Sequence, residues 1–268
     1  DNNINYNNIR QEFNKGKHRG PEFSTLNKYN NVFMGFHRLA INGLNVESNQ
    51  PFVIDNIILI CNGEIYNYKT LALFNFITLT TQSDCEIIIH LYKKYGIEYT
   101  LSILDGVFAF VLYDQNINKL IVARDPYGVR PLYYYHDYNS FIFASELKVL
   151  YNLSMNKKKI HHFLPANYMI IHNNESDSIY YNYKNYSSFP CSNISYNSNS
   201  LYFSIIDHIQ SAVKKRVVNT TERPVGCLLS GGLDSSLVAA LVNKFYNSHE
   251  SLETFSIGLH GSEDLKYA

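Results

Sequence analysis

The segment 225–240, with the sequence VGCLLSGGLDSSLVAA, combines residue types that can bind a phosphate group. Its glycines would let backbone N–H groups approach an anion, and its hydroxyl side chains stand where a helix would begin, at the positive end of the helix dipole. The Walker A spacing G-x-x-x-x-G-K-[ST], with its lysine, is absent. An ordinary strand–turn–helix corner is the alternative interpretation. The combination SGG-x-D-SS after an apolar run favours an anion site that comprises Ser230, Gly231, Gly232, Asp234 and Ser235.

The hydropathy pattern around this segment predicts a parallel α/β unit. Residues 225–229 are predicted as a buried strand and 237–242 as a buried helix, with residues 234–236 at its N-cap and first turn. Residues 252–259 are predicted as a second strand, and an apolar stripe over 205–217 predicts a helix that leads into the anion site. Strand, helix and strand in this order are the first elements of a doubly wound parallel sheet.

A second group of polar residues lies in the first third of the chain. Taken singly, Arg38 could belong to a surface pair, Asn62 and Gly63 to a turn, and Asp84 to a helix cap. Taken together, they suit one ligand. The planar fork of Arg38 can bind an α-carboxylate, and the carboxylates of Glu64 and Asp84 can bind an α-ammonium group. The Asn62 side chain and the Gly63 N–H can both point at a developing oxyanion. An amino acid that carries a reactive acyl group at the end of its side chain fits this set of residues.

Paired strand patterns must position these residues. A strand over 32–40 precedes predicted hairpins at 52–54 with 57–61, at 107–113 with 120–123, and at 132–135 with 141–145. Ser83 to Glu86 form an S-x-x-E capping box before an amphipathic helix that ends at Gly96. Residues 173–200 are rich in Asn, Ser and Tyr, and are predicted as a linker or surface excursion. The pattern predicts antiparallel sheets covered by helices.

Composition excludes several classes of function. The 268 residues carry 23 basic and 23 acidic side chains, so no basic surface for nucleic acid is indicated. No apolar run approaches the roughly 20 residues of a membrane-spanning helix, so we expect no membrane partner. The four cysteines are Cys61, Cys85, Cys191 and Cys227, and they lack the spacing of a metal site. We therefore expect a reduced, cytoplasmic protein with no certain metal site.

The motifs of the first part resemble those of a known family. HRGP (18–21), GFHRLAIN (35–42), NGEIYN (62–67), SDCE (83–86), LDGVFAFVLYD (104–114), RDPYGVRPLYY (124–134) and FASELK (143–148) look like the glutaminase domain of class II glutamine amidotransferases. SGGLDSS resembles the PP-loop of the ATP pyrophosphatase family. Joined to GCLLSGGLDSSLVAAL (226–241) and FSIGLHGSEDLKYA (255–268), the whole set resembles the glutamine-hydrolysing asparagine synthetase family.

The resemblance implies a two-domain fold. Residues 1–170 would form an α+β Ntn-hydrolase-like four-layer (α-β-β-α) glutamine amidotransferase domain. Residues 171–200 would be a linker or surface excursion. Residues 201–268 would begin an α/β PP-loop (adenine nucleotide α-hydrolase-like) synthetase domain.

The resemblance also implies roles for individual residues. Those expected to contact glutamine are Arg38, Leu39, Ala40, Ile41, Asn42, Asn62, Gly63, Glu64 and Asp84, with Asn62 and Gly63 also forming the oxyanion hole. Those expected to contact ATP or its pyrophosphate are Leu228, Ser230, Gly231, Gly232, Asp234, Ser235 and Ile257, with Mg²⁺ bridging.

The implied reaction is the ATP-dependent conversion of aspartate to asparagine through a β-aspartyl-AMP intermediate, with ammonia from glutamine. Its substrates would be glutamine, aspartate and ATP, and the enzyme would be a carbon–nitrogen ligase. A homodimer is a further expectation. Two alternatives stay open. One is a related ligase, similar to a β-lactam synthetase or acting on another carboxylate. The other is a non-catalytic protein that binds glutamine.

One feature of the family pattern is missing. The family's nucleophile is an N-terminal cysteine whose own α-amine acts as the general base, whereas position 1 is Asp1. Either the sequence lacks the family's first strand, which we favour, or the protein lacks glutaminase activity. We expect the 268 residues by themselves to catalyse neither half-reaction.

Overall fold

A computed structural model describes residues 6–137, 140–173, 179–187, 198–219, 222–246, 251–259 and 261–268. The chain forms two compact units, residues 1–189 and 190–268. In the first unit the helices are α1 (Tyr6–Asn14), α2 (Tyr68–Asn75), α3 (Ile87–Tyr95), α4 (Ile97–Ile103) and α5 (Leu147–Tyr151). Its strands are β1 (Phe23–Tyr29), β2 (Val32–Arg38), β3 (Phe52–Ile54), β4 (Ile57–Ile65), β5 (Gly106–Asp114), β6 (Lys119–Arg124), β7 (Tyr133–His136), β8 (Phe141–Ala144), β9 (Ile160–His162), β10 (Asn167–Asn173) and β11 (Ile179–Asn185).

A six-stranded sheet in the order β11-β10-β6-β5-β4-β3 is the centre of the first unit. Every strand pair in it is antiparallel. Side chains alternate between the two faces, as strand geometry requires. On β4, Leu59 and Cys61 pack against α2, α3 and α4 in the largest apolar cluster. Ile58, which precedes Leu59, packs on the opposite face with Met34 and Tyr113.

That opposite face is covered by two smaller sheets, β1-β2 and β8-β7-β9. Helices form the outermost layer beyond them. In α1, the Phe13 ring stacks on the His37 ring of β2 at a centroid distance of 3.8 Å, while α5 packs on β7 and β8. The order helix, sheet, sheet, helix confirms the predicted four-layer fold.

The predicted linker is only partly correct. Strand β11 pairs with β10 from Asn167↔Asn185 to Asn173↔Ile179, so the sheet extends well beyond residue 170. The pairing supplies hydrogen bonds to a segment whose Asn- and Tyr-rich composition does not by itself indicate a strand. Residues 174–178 and 188–197 of the predicted linker lie outside the described residues.

The second unit contains α6 (Ser198–Asn219), β12 (Gly226–Leu228), α7 (Leu233–Phe245), β13 (Glu253–Phe255) and α8 (Asp264–Tyr267). The parallel pairing of β12 with β13 confirms the predicted strand–helix–strand order. A small cluster around Val217, Cys227 and Val242 joins these elements. The expectation of a buried strand and a buried helix is wrong for this chain, because Leu228 is 83% exposed and Leu237 is 47% exposed. The helices α6 and α7 cover Cys227, and the outward-facing apolar residues stay in solvent.

Among the residues that the structure describes, none of the helices combines the length and the apolar character that a membrane span requires.

Candidate functional site: an amino-acid pocket and a phosphate loop

The cavity between the two sheet layers of the first unit brings the predicted residues together. It has a volume of about 1330 Å³ and is lined by β2, by the end of β4 and by β8. All nine residues predicted to contact glutamine line it: Arg38, Leu39, Ala40, Ile41, Asn42, Asn62, Gly63, Glu64 and Asp84. The antiparallel topology explains this convergence, because β2 ends at Arg38 and the second half of β4 crosses the same space.

Arg38 is buried at the end of β2, and its guanidinium organises the loop that follows. It donates to the backbone oxygen of Asn45 at 3.1 Å and to Asn49 Oδ1 at 2.6 Å. It also donates to the backbone oxygens of Asn42 and Gly43. The guanidinium therefore shapes the loop 42–49, of which Asn42 and Ser48 line the cavity. A carboxylate that binds Arg38 has to share this guanidinium with the loop.

Asn62 faces the cavity from β4 and carries a buried side-chain nitrogen. This Nδ2 atom has no hydrogen-bond partner among the described residues. An unpaired buried donor is costly, at about 1–3 kcal/mol, unless a ligand satisfies it. The donor is therefore available to an oxygen atom of a ligand in the cavity.

Gly63 lies against the neighbouring strand more closely than any side chain would allow. A Cβ atom at this position would lie 2.3 Å from the backbone oxygen of Val107 and 2.7 Å from Phe108 Cα. Glycine is thus required for β4 to approach β5 at this point.

Asp84 lies beside the same strand. Its Oδ2 accepts the backbone N–H of Ile65 at 2.6 Å. Burial and, to a smaller extent, the nearby carboxylate of Glu64 raise the pKa of Asp84 to about 6, against hydrogen bonds from the Ile65 N–H and the Asn42 side chain. A cationic group bound here would favour the ionised form.

The predicted capping box at Ser83 to Glu86 is only half correct, because Ser83 is the N-cap but Glu86 does not complete the box. The Glu86 carboxylate accepts the N–H groups of Thr80 at 2.7 Å and Thr81 at 2.6 Å. It therefore does not accept the backbone N–H of Ser83, as a capping box would require. The Ser83 hydroxyl accepts the Cys85 N–H at 3.4 Å instead. Glu86 thereby anchors the loop that precedes Asp84.

Arg130 is a cavity residue that the sequence analysis missed. Its guanidinium lies 3.5 Å from Glu64 Oε1, so the acidic side of the cavity is partly neutralised. The buried Asp125 sets its position by accepting the backbone N–H groups of Tyr127, Val129 and Arg130 at 3.0 to 3.1 Å. The motif RDPYGVRP contains both residues, but the contact with Glu64 joins distant parts of the chain.

The thiols near the cavity are poor nucleophiles. Cys61 and Cys85 are both buried. A hydrogen bond with Cys61 and complete burial raise the pKa of the Cys85 thiol, and a protonated thiol is unreactive. Cys191 lies outside the described residues, and Cys227 belongs to the second unit.

The anion loop of the second unit is open to solvent. Gly231 has φ +84°, a conformation that glycine adopts readily, and it turns the chain from β12 toward α7. The Ser230 and Ser235 hydroxyls lie 3.0 Å apart, and the Ser235 hydroxyl donates to the Gly232 oxygen at 3.0 Å. Gly232 is the N-cap of α7, so the prediction that residues 234–236 include the N-cap is wrong. Asp234 lies in the first turn, beside an α7 N-terminus that can accept an anion.

The two apolar residues predicted to contact the nucleotide, Leu228 and Ile257, are exposed. Leu228 is 83% exposed and Ile257 is 100% exposed. No group of three His, Cys, Asp or Glu side chains within the described ranges could hold a metal ion.

The four-layer fold, with a cavity lined by Arg38, Asn62 and Asp84, is the arrangement expected for a glutamine amidotransferase domain. Residues 1–201 match the glutamine amidotransferase domain family, and residues 204–268 match the asparagine synthase family. The chain belongs to the glutamine amidotransferase domain family and continues into an asparagine synthase domain.

Curated relatives carry both parts. The chain is 37% identical over 281 residues to the glutamine-hydrolysing asparagine synthetase of Gallus gallus, covering 92% of this chain and 48% of the relative. It is 38% identical over 278 residues to the Homo sapiens asparagine synthetase, with the same coverage. A probable asparagine synthetase of Acanthamoeba polyphaga mimivirus is 39% identical over 255 residues, which are 88% of this chain and 45% of that one. The chain thus spans about half the length of these relatives.

Among solved structures, a glutamine phosphoribosylpyrophosphate amidotransferase from B. subtilis aligns with 20% identity and a TM-score of 0.46, covering 87% of this chain and 55% of that chain.

Proposed function

We propose that the first unit binds glutamine and hydrolyses its side-chain amide. We further propose that the whole protein uses the released ammonia to convert aspartate to asparagine at an ATP-dependent site in the second unit. The observation that carries the proposal is the buried Nδ2 of Asn62, which has no partner among the described residues. It lies in a cavity that also contains Arg38, Glu64 and Asp84.

Glutamine can be placed in this cavity by matching charges. The α-carboxylate would bind Arg38, with Leu39 to Asn42 lining the pocket, and the α-ammonium group would bind Asp84 and Glu64. The side-chain carbonyl oxygen would receive hydrogen bonds from Asn62 and Gly63. Because these donors would strengthen their bonds as the oxygen gains charge, they would stabilise the tetrahedral intermediate more than bound glutamine.

The hydrolysis requires a nucleophile beside Asn62, and the buried thiols of Cys61 and Cys85 do not supply it. Strands β2 and β8 both border the cavity, and each is the edge strand of its sheet among the described residues. We propose that an extended segment carrying a cysteine enters between these edges. Strand addition to both edges would join the two smaller sheets and bring the thiol to the oxyanion donors.

ATP would bind at the loop between β12 and α7. The hydroxyls of Ser230 and Ser235, the backbone of Gly231 and Gly232, and the start of α7 suit a pyrophosphate group. Leu228 and Ile257 offer apolar surface for the base. Oxygen donors such as the Asp234 carboxylate fit Mg²⁺, which would neutralise charge on the leaving pyrophosphate. Transfer of AMP to the aspartate side-chain carboxylate would give ammonia a reactive acyl group to attack.

Two measurements test this function. Calorimetry should show one glutamine bound per chain. The full-length gene product should release ammonia from glutamine, and pyrophosphate only when aspartate is present. Glutamine binding without ammonia release would favour the non-catalytic alternative, and pyrophosphate release with another carboxylate in place of aspartate would favour the related ligase. A cytoplasmic location and a homodimer stay predictions.

A further inference from the structure

Gln50 is a buried residue next to the cavity whose side-chain amide is bonded to a single backbone segment. Its Oε1 accepts the N–H of Cys61 at 2.6 Å, and its Nε2 donates to the carbonyl oxygen of Cys61 at 3.1 Å. The residue is 8% exposed. A planar amide with one donor and one acceptor toward a strand reproduces the hydrogen bonds of a neighbouring strand.

This contact lies where β4 has lost its strand neighbour on one side. Strand β5 pairs with β4 over its full length, from residues 57 to 65. On the other side, β3 pairs only with residues 57–59. From residue 60 onward, that edge of β4 is covered by side chains and loops.

The alternation of hydrogen bonds along β4 decides which groups face this edge. Tyr66 donates to the Asp105 oxygen across the β5 side at 2.8 Å. In an antiparallel pair, alternate residues turn their backbone groups to alternate sides, so Cys61, Gly63 and Ile65 face away from β5. The bonds from Cys61 to Gln50 and from Ile65 to Asp84 agree with this assignment. The N–H of Gly63 therefore lies on the same edge, between two anchored residues.

We propose that Gln50 is a positioning residue for the oxyanion donors. By holding both backbone groups of Cys61, it fixes the strand immediately before Asn62 and Gly63. Oxyanion stabilisation requires donors placed to within about 0.5 Å, so a supporting bond one residue away controls transition-state stabilisation. The inference rests on the proposed glutaminase function and adds a residue to its machinery.

The test compares Gln50→Met with Thr100→Val. Methionine keeps the length of the side chain but offers no amide to Cys61. Thr100 is a buried residue of α4, in the helix layer on the other face of the central sheet, and its hydroxyl donates to the Gly96 oxygen at 2.8 Å. Both variants lose a hydrogen bond of a buried side chain, and only Gln50→Met loses the contact to the oxyanion strand.

The first readout is NMR of the chain with ¹⁵N-labelled glycine during titration with glutamine. We expect the Gly63 amide of the native chain and of Thr100→Val to shift when glutamine binds. In Gln50→Met, glutamine should bind with a Kd within about threefold of the native value, because the charged α-carboxylate and α-ammonium groups of glutamine dominate its affinity. The Gly63 shift should fall by more than half.

The second readout is steady-state hydrolysis of glutamine by the full-length gene product. Gln50→Met should lower kcat by about 10- to 100-fold and leave KM within about threefold, as the loss of an oxyanion donor does.

A full Gly63 shift or an unchanged kcat in Gln50→Met would overturn the inference, as would equal losses in kcat and affinity. If Gln50→Met does not fold, Gln50→Glu keeps the acceptor for the Cys61 N–H and should show the same split. If the native chain binds no glutamine, the proposed function itself fails.

Discussion

The cavity of the first unit and the anion loop of the second unit are built in different ways. The cavity is formed by buried side chains, and Arg38, Asp84 and Asp125 each have several bonds to loops or strands. The anion loop presents backbone groups and hydroxyls to solvent, with Leu228 and Ile257 exposed beside it. If the proposed ligands bind there, the difference teaches that amino-acid recognition would depend on a fixed arrangement of charges, whereas phosphate binding would depend on backbone conformation. Substitutions of the charged cavity residues should therefore act on affinity and stability together, and substitutions in the anion loop on affinity alone.

The largest effect is expected from Asp84→Asn. Asparagine can still accept the Ile65 N–H but has no charge for an α-ammonium group. Removing one member of a buried charge pair costs about 3 kcal/mol, so we expect glutamine affinity to fall by at least roughly 100-fold. Calorimetry measures this loss, and thermal unfolding serves as the control for folding. A glutamine affinity equal to that of the native chain would show that Asp84 does not belong to the site.

Asp234→Ala is the matching change in the second unit. We expect ATP binding by the chain to weaken by about tenfold, because a carboxylate oxygen for the bound cation is lost. Glutamine affinity should not change. In the full-length product, aspartate-dependent pyrophosphate release should stop while ammonia release from glutamine continues. Loss of both activities would indicate that Asp234 is structural.

The pH dependence of glutamine binding should follow Asp84. Its pKa lies at about 6, so the carboxylate is about nine-tenths ionised at pH 7 and about one-tenth ionised at pH 5. We expect affinity to fall by roughly tenfold over this interval. Because burial raises the pKa above its unfolded value of 3.8, protonation of Asp84 favours the folded state, and its contribution to stability is lost as pH rises through 6. A pH-independent affinity between pH 5 and pH 7 would contradict the assignment.

Glu86→Gln tests how firmly the cavity wall is held. Burial acts to raise the pKa of Glu86, but hydrogen bonds from His90, Thr80 and Thr81 outweigh it and lower the pKa to about 2. A depressed pKa stabilises the fold above the unfolded value of 4.5, and this contribution disappears as pH falls from 4.5 toward 2. We expect the substitution to lower the free energy of unfolding by about 2 kcal/mol at pH 7. Urea unfolding at pH 7 and pH 3 measures it, and the difference between the two proteins should shrink at the lower pH.

The smallest effect on stability is expected from Leu228→Ser. A residue that is 83% exposed contributes little to folding, so the free energy of unfolding should change by less than about 0.5 kcal/mol. ATP affinity should nevertheless fall by a few-fold, because apolar surface for the base is lost. A large loss of stability would show that the second unit buries this residue.

The sequence predicted the elements whose patterns are local. The β3–β4 hairpin, the β5–β6 hairpin, the end of α3 at Gly96 and the parallel β12–β13 pair all follow from periodicity and turn residues. Strand β11 could not be predicted, because its composition is that of a loop and its pairing with β10 supplies the missing stabilisation.

The missed site residues have a common cause. Gln50, Glu86 and Arg130 act through contacts with Cys61, Thr80 and Glu64, which no spacing rule connects to them. The S-x-x-E pattern was a plausible cap, but Glu86 had better partners in the preceding loop. Glu86 and Arg130 belong to recognisable motifs, but the contacts through which they act became visible only in the fold.

The most direct test is a calorimetric titration of glutamine into the 268-residue chain at pH 7.5, with the Asp84→Asn variant alongside. We predict saturable binding of one glutamine per native chain and no measurable binding to the variant at the same concentrations. Absence of binding to the native chain, or equal binding to both proteins, would contradict the assignment of this cavity as a glutamine site.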